Sequence, residues 1–214
     1  REHEDDIREE RMTPGDREQK VKALIDKLCL TRELNRSEWT ELIRERTPAA
    51  AEYLFELAQD VRIRCYGRDI YIRGLIEFTN YCRNDCYYCG IRKSNPNAER
   101  YRLTKEEILD CCAHGYELGF RTFVLQGGED GWYTDERLAD IVASIRSGWP
   151  DCAITLSVGE RSRESYRILR EAGADRYLLR HETYDSIHYQ RLHPPALSAA
   201  HRQECLWNLK ELGY

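Results

Sequence analysis

The chain has 214 residues, 41% of them hydrophobic and 33% charged, with a formal net charge of −5. That composition supports a buried core in one or two domains, and the acidic balance argues against nucleic acid, which is met by a strongly basic footprint. No apolar run approaches the roughly 18 residues of a membrane span, and the charged opening Arg1-Glu2-His3-Glu4-Asp5-Asp6 lacks the apolar stretch of a secretory leader, so a cytoplasmic protein with no membrane partner is expected.

In chain order, residues 1 to about 14 are charged, show little periodicity and are expected to fray. Residues 16–30 carry Val21, Leu24, Ile25 and Leu28 at helical spacing, and Ser37 is the expected cap of a short helix holding Trp39, Leu42 and Ile43. Thr47-Pro48 opens a third helix, with Tyr53, Leu54, Leu57 and Val61 inward and Gly67 at its end. Residues 1–66 therefore read as a helical extension, placed as a cap on one end of the remaining chain.

From residue 67 the rhythm changes. Ile70, Ile72, Ile76 and Phe78 alternate as a first strand. Thr104-Lys105-Glu106-Glu107 is a capping box, with Leu103 and Ile108 as its hydrophobic staple, opening a helix that runs to Gly119. Residues 121–126 read as a second strand ending in Gly127-Gly128-Glu129-Asp130. Thr134 starts a helix with Leu138, Ile141, Val142 and Ile145 inward. Residues 153–158 form a third strand, followed by a helix from Ser162 to near Gly173. Residues 176–180 form a fourth strand, and a last helix carries Leu206, Leu209 and Leu212. Strand, loop and helix repeated four times predict parallel βα units in an α/β fold.

Ligands of parallel sheets sit at the C-terminal strand ends, and the chemically loaded stretches all fall there. After the first strand comes Cys82-Arg83-Asn84-Asp85-Cys86-Tyr87-Tyr88-Cys89-Gly90. Gly-Gly-Glu-Asp follows the second strand, Ser157 and Glu160 flank the end of the third, and Arg180-His181-Glu182 follows the fourth. Structural zinc takes four N or S ligands, commonly in paired knuckles, and no second CxxC occurs. Three thiolates suit an iron–sulfur cluster with one iron left for a non-protein ligand. A zinc knuckle that borrows a distant fourth ligand, in a binding domain without catalysis, is the competing reading.

The other cysteines of the nine suit a reducing compartment and not a disulfide scaffold. Cys29, Cys65, Cys152 and Cys205 read as small buried hydrophobes. Cys111 and Cys112 sit mid-helix about 100° apart, unsuited to shared ligation. The basic run Arg92-Lys93 and Arg100 to Arg102 reads as a solvated loop, with phosphate binding as its alternative. A closed (β/α)8 barrel takes about 250 residues, and four units leave open edges that proteins cover or pair. The sequence therefore reads as the front part of a longer protein, with dimerisation of a half-barrel as the alternative.

CxxxCxxC with Tyr88 directly before the last cysteine resembles the radical S-adenosylmethionine (SAM) superfamily. The resemblance implies a TIM-like (β/α) barrel of radical SAM type over residues 67–214, of which about the first four units are present. It implies a [4Fe–4S] cluster on Cys82, Cys86 and Cys89 whose fourth iron chelates SAM, and an electron that releases a 5′-deoxyadenosyl radical. Ile76-Glu77-Phe78-Thr79-Asn80-Tyr81-Cys82, Cys89-Gly90-Ile91-Arg92, Tyr101-Arg102-Leu103-Thr104, Val124 through Asp130, Thr155 through Glu160 and Arg180-His181-Glu182-Thr183 resemble, within that superfamily, the maturases of the [FeFe]-hydrogenase active site, over about residues 48–214. Methylornithine synthase and biotin synthase share the architecture.

Carried over residue by residue, Tyr88 packs beside the cluster and the adenine, and Gly127, Gly128 and Glu129 meet the methionine amino group, mostly through backbone. Glu182 holds the ribose, and Arg180 and Arg202 are the candidates for the SAM carboxylate or a substrate anion. Thr155 and Ser157 line the substrate cavity, and His181 stays outside the site. The implied partners are a small molecule or a small iron complex as substrate, a low-potential electron donor and other hydrogenase maturases. The alternative enzyme acts on an amino acid or related small molecule.

Overall fold

The computed structural model describes residues 13–214, so most of the segment expected to fray lies outside the described residues. Contacts divide the chain into two compact units, Arg1–Ile70 and Tyr71–Tyr214.

The first unit holds three helices, α1 (Pro14–Thr31), α2 (Arg36–Glu45) and α3 (Pro48–Tyr66), around buried Val21, Ile25, Leu42 and Ala50. The cap of α2 is Asn35 and not Ser37. Asn35 accepts from the Glu38 N–H at 3.0 Å while the Glu38 carboxylate accepts from the Asn35 N–H at 2.8 Å, a reciprocal box that leaves Ser37 in the first turn. Thr47 and Gly67 bound α3 as expected, with Gly67 at φ +65°. Its inward face is shorter than the periodicity implied: Tyr53, Leu54 and Leu57 pack on the core while Val61, like Trp39 and Ile43 of α2, is exposed.

The second unit is a four-stranded parallel sheet in the order β1 (Gly74–Thr79), β2 (Thr122–Gly127), β3 (Ala153–Ser157), β4 (Arg176–Tyr177). The crossovers are α4 (Lys105–Glu117), α5 (Asp135–Gly148) and α6 (Arg163–Glu171), with α7 (Ser186–Leu192) and α8 (Ala199–Glu211) after β4. One strand face carries Ile76, Phe78, Phe123, Leu125, Ile154 and Leu156, which pack on Ile108, Leu138, Ile141, Val142, Ile145 and Leu169 of the helices. Consecutive strands as neighbours, each followed by a helix, are successive units of an α/β barrel seen over part of its circumference.

The strands differ from expectation at two ends. Ile70 and Ile72 are exposed and precede β1, because Gly74 already pairs with Phe123 and the chain just ahead of β2 is taken up by the turn in which the Phe120 N–H donates to the Gly115 carbonyl. The fourth strand keeps only two residues in register, opposite Thr155 and Leu156, and after the Leu178 N–H donates to Leu156 it leaves the sheet. Among the described residues it has no second neighbour to hold it straight. Cys152 and Cys205 are buried as expected, whereas Cys29 and Cys65 are exposed; Cys111 faces out and Cys112 in, as their angular separation requires.

Candidate functional site

β1 ends in a bulge. Glu77 pairs with Gln126 and Thr79 with Gly127, so three residues of β1 span two of β2. A bulge bends a strand and re-aims the residues beyond it, and here it launches the cysteine loop across the C-terminal rim. The loop has little regular structure and is tied down instead. Arg100 donates to the carbonyls of Asn80, Ile91 and Arg92, the Ser94 N–H donates to Asp85 at 2.6 Å, and the Arg83 N–H donates to the Glu129 carbonyl at 3.0 Å. Arg100 thus clamps the loop from within, and Arg102 makes a two-point ion pair with buried Asp130 at 2.6 and 2.9 Å. Arg100 and Arg102 are therefore engaged by the protein and are not free in a solvated loop, whereas Lys93 is exposed.

The Gly-Gly turn after β2 lies directly against this loop. A Cβ on Gly128 would stand 2.1 Å from the Tyr81 carbonyl oxygen and 2.8 Å from the Cys82 Cβ, so only glycine permits the approach. Gly159, at φ +77°, does the same on the next rim, where a Cβ would sit 2.0 Å from the Glu129 side chain. Asp130 also accepts from the Thr79 hydroxyl at 2.8 Å and the Trp132 N–H at 3.0 Å. Burial opposes its charge, but the Arg102 fork and these two donors hold its pKa below the usual carboxylate range.

One cavity of about 230 Å³ brings the rims together. The cysteine loop contributes Cys82, Cys86, Cys89 and Tyr88, and the second rim contributes Gly127, Gly128 and Glu129. Ser157 from β3, Arg180 and Glu182 after β4 and Arg202 from α8 complete the expected set. Thr155 stands apart: it is buried on β3 below that wall, with no hydrogen-bond partner on its hydroxyl among the described residues. His181 is not among the lining residues.

The charged members are not equivalent. Glu129 is engaged by the protein, accepting from Arg83 at 3.1 Å and the Glu160 N–H at 3.0 Å, so its carboxylate braces the rim. Arg202 is buried and donates to the Arg180 carbonyl at 3.1 Å. Its Nε lies 2.6 Å from Glu160 Oε1, close enough for an ion pair although the N–H does not point at the oxygen, and a second nitrogen lies 3.8 Å from Glu129. Desolvation opposes its charge, yet the Glu160 carboxylate leads the partners that raise its pKa overall. Arg180 and Glu182 are exposed. Glu182 adopts φ +60°, uncommon for a side chain without a reason to be there.

Burial first, and then the neighbouring Cys82 and Cys89, push the Cys86 thiol up to about 11. Among the described residues no three His, Cys, Asp or Glu side chains gather tightly enough to hold a single metal ion. A zinc ion needs its ligands at about 2.0–2.3 Å from one centre, whereas a cluster takes one thiolate per iron and so a wider spacing. The donor set fits a [4Fe–4S] cluster, and the glycine-walled cavity beside it leaves room for a ligand that approaches backbone.

The chain belongs to the radical SAM superfamily, whose model matches residues 76–214; its members use a [4Fe–4S] cluster and SAM. The chain is similar, with 44% identity over 183 residues, to the [FeFe] hydrogenase maturase subunit HydE of Thermotoga maritima, covering 86% of this chain and 52% of that protein. It is 33% identical over 145 residues to 3-methylornithine synthase of Methanosarcina acetivorans, covering 66% of this chain and 40% of the relative. The crystal structure of methylornithine synthase superimposes with a TM-score of 0.75 at 28% identity, covering 89% of this chain and 56% of that one. The chain thus spans about half the length of the relatives it matches. No described helix is long and apolar enough to cross a membrane.

Proposed function

We propose that the protein to which this chain belongs cleaves SAM reductively at a [4Fe–4S] cluster and acts in the maturation of the [FeFe]-hydrogenase active site, in the manner of HydE. The observation that carries the reading is the convergence of Cys82, Cys86 and Cys89 with three further rims on one cavity; the 44% identity to HydE supports the maturation role. Cys82, Cys86 and Cys89 would hold the cluster, which when bound and reduced by an external donor would supply the electron that breaks the S–C5′ bond of SAM, leaving methionine and a 5′-deoxyadenosyl radical.

The chain's own residues bind and orient. Gly127 and Gly128 expose backbone to the amino acid end of SAM, and Arg202, kept ionised by Glu160 and Glu129, offers its guanidinium to a carboxylate. Glu182 takes two ribose hydroxyls, since a carboxylate accepts from both. Tyr88 gives the adenine a wall, and Arg180 is the exposed cation for a substrate anion. Ser157 faces the substrate, with Thr155 beneath it. The substrate proposed is a small iron complex, and the further partners are a low-potential electron donor and other maturases in the cytoplasm. The 3-methylornithine synthase relatives favour a second reading, radical chemistry on an amino acid.

Anaerobic reconstitution with iron and sulfide tests the first step. A visible absorption that bleaches with dithionite, and 5′-deoxyadenosine formed from SAM, are expected of the full-length protein and lost in Cys86→Ala. Equal product from wild type and Cys86→Ala refutes the assignment. Restoration of hydrogenase maturation in cells lacking HydE separates the first reading from the second.

A further inference from the structure

His193 belongs to none of the motifs and does not line the cavity, yet it is buried, at 3% exposure, against the cysteine loop. It caps the C-terminal end of α7. Its Nδ1 lies 2.9 Å from the Tyr189 carbonyl oxygen, which can only accept, so Nδ1 carries the proton and Nε2 presents a lone pair. Facing that lone pair at 3.2 Å is the Tyr88 hydroxyl. With Nδ1 protonated, the hydroxyl is the donor and Nε2 the acceptor.

The rings make the same contact. The imidazole stacks on Tyr189 at 3.8 Å and 16°, and meets Tyr88 edge-on at 5.4 Å and 84°. The Tyr87 N–H donates to the Leu192 carbonyl at 2.9 Å, a second tie between loop and helix end.

We infer that His193 is a positioning residue for the cofactor pocket: it fixes the Tyr88 ring beside the cysteines and joins the cysteine loop to the C-terminal end of α7. This rests on the SAM-binding reading above. Tyr88 is 51% exposed on a loop without regular structure, and a wall that must be ordered on binding costs affinity that a fixed wall does not. One hydrogen bond of this kind is worth about 1 kcal/mol, or about fivefold in affinity.

The experiment measures SAM affinity on the reconstituted full-length protein for Tyr88→Phe, His193→Phe, the double variant and His193→Gln, alongside the spectrum of the reduced cluster with SAM. Tyr88→Phe and His193→Phe should each weaken SAM about fivefold and shift that spectrum alike, with the double variant no weaker than either. His193→Gln, which can still donate and accept, should recover most of the affinity. Multiplying effects in the double variant, or unchanged affinity in Tyr88→Phe, overturn the inference while wild-type SAM binding leaves the SAM-binding reading intact; a wild type that binds no SAM overturns that reading itself. Should His193→Phe fail to fold, Tyr88→Phe and imidazole ¹⁵N NMR of the cluster-free protein decide. The proton is expected on Nδ1, and a proton on Nε2 would refute the contact.

Discussion

Replacing Gly128 by alanine puts a methyl group where the cysteine loop's backbone already stands. The new carbon would sit 2.1 Å from the Tyr81 carbonyl oxygen, 2.9 Å from its carbon and 2.8 Å from the Cys82 Cβ. Ordinary contact begins near 3.4 Å, so the two segments must part by more than 1 Å, and backbone on both sides leaves no flexible side chain to absorb it. Overpacking of this kind costs about 1–3 kcal/mol, and the same energy lost from SAM binding is about 5- to 150-fold in affinity. Gly128→Ala should therefore lower the denaturant midpoint, take up less iron and weaken SAM binding by one to two orders of magnitude. Gly131→Ala is the control: it lies three residues on, has nothing within 4 Å of its added carbon and shows no left-handed backbone. It should match wild type or gain slightly through the unfolded state. A Gly128→Ala protein with wild-type midpoint, iron content and SAM affinity would refute the close-approach argument.

The same geometry predicts three further outcomes. Arg100→Lys keeps the charge but loses the planar fork that reaches three loop carbonyls, so iron content after reconstitution should fall with little change in the thermal midpoint, and equal iron uptake would contradict the clamp. Asp130→Asn should be clearly less stable than wild type at pH 7; because the folded Asp130 pKa is depressed, the stabilisation is complete above the unfolded value near 3.9 and is lost as pH falls through the folded one, so the gap in chemical denaturation should narrow below about pH 4 and a constant gap would be wrong. A thiol reagent should label Cys29, Cys65 and Cys111 quickly and Cys112, Cys152 and Cys205 only on unfolding, with mass spectrometry reading the sites.

The features legible in the sequence were local. Thr47, Thr104, Thr134 and Ser162 cap their helices as the residues around them require, because a cap needs only a side-chain oxygen and the N–H groups two or three residues on. The apolar run Phe123-Val124-Leu125 marked β2 as a strand, and all three residues are buried. Ile70 and Ile72 misled because period-two spacing says nothing about whether a partner strand extends as far. Ser37 misled because two cap-formers stood together and only Asn35 had an acid three residues on. α7 escaped notice because seven residues give too few turns for a periodic signal. The exposure of Cys29 and Cys65 depends on where α1 and α3 cross, which one helix's sequence does not contain.

The candidate site divides along the same line. Its candidate ligands stand close together in the sequence, the cysteines being three and four residues apart, while the contacts that hold their loop are not near in sequence. Arg102 reaches Asp130 across 28 positions, Arg83 reaches Glu129 across 46, and Tyr88 reaches His193 across 105. Each reads alone as an ordinary charged or aromatic surface residue, and becomes a brace only when parallel strands bring the loops to one rim. The two halves of the sheet are therefore held by different forces. Below, Leu125, Ile154 and Leu156 are fixed by apolar burial against helices, which is indifferent to charge. Above, around the glycine-walled cavity, the loops are joined by ion pairs with one partner nearly buried: Glu129, Asp130 and Glu160 are each under 10% exposed on the side chain. Pairs of that kind are screened less than surface pairs, so the rim can be polar and still hold the loops together.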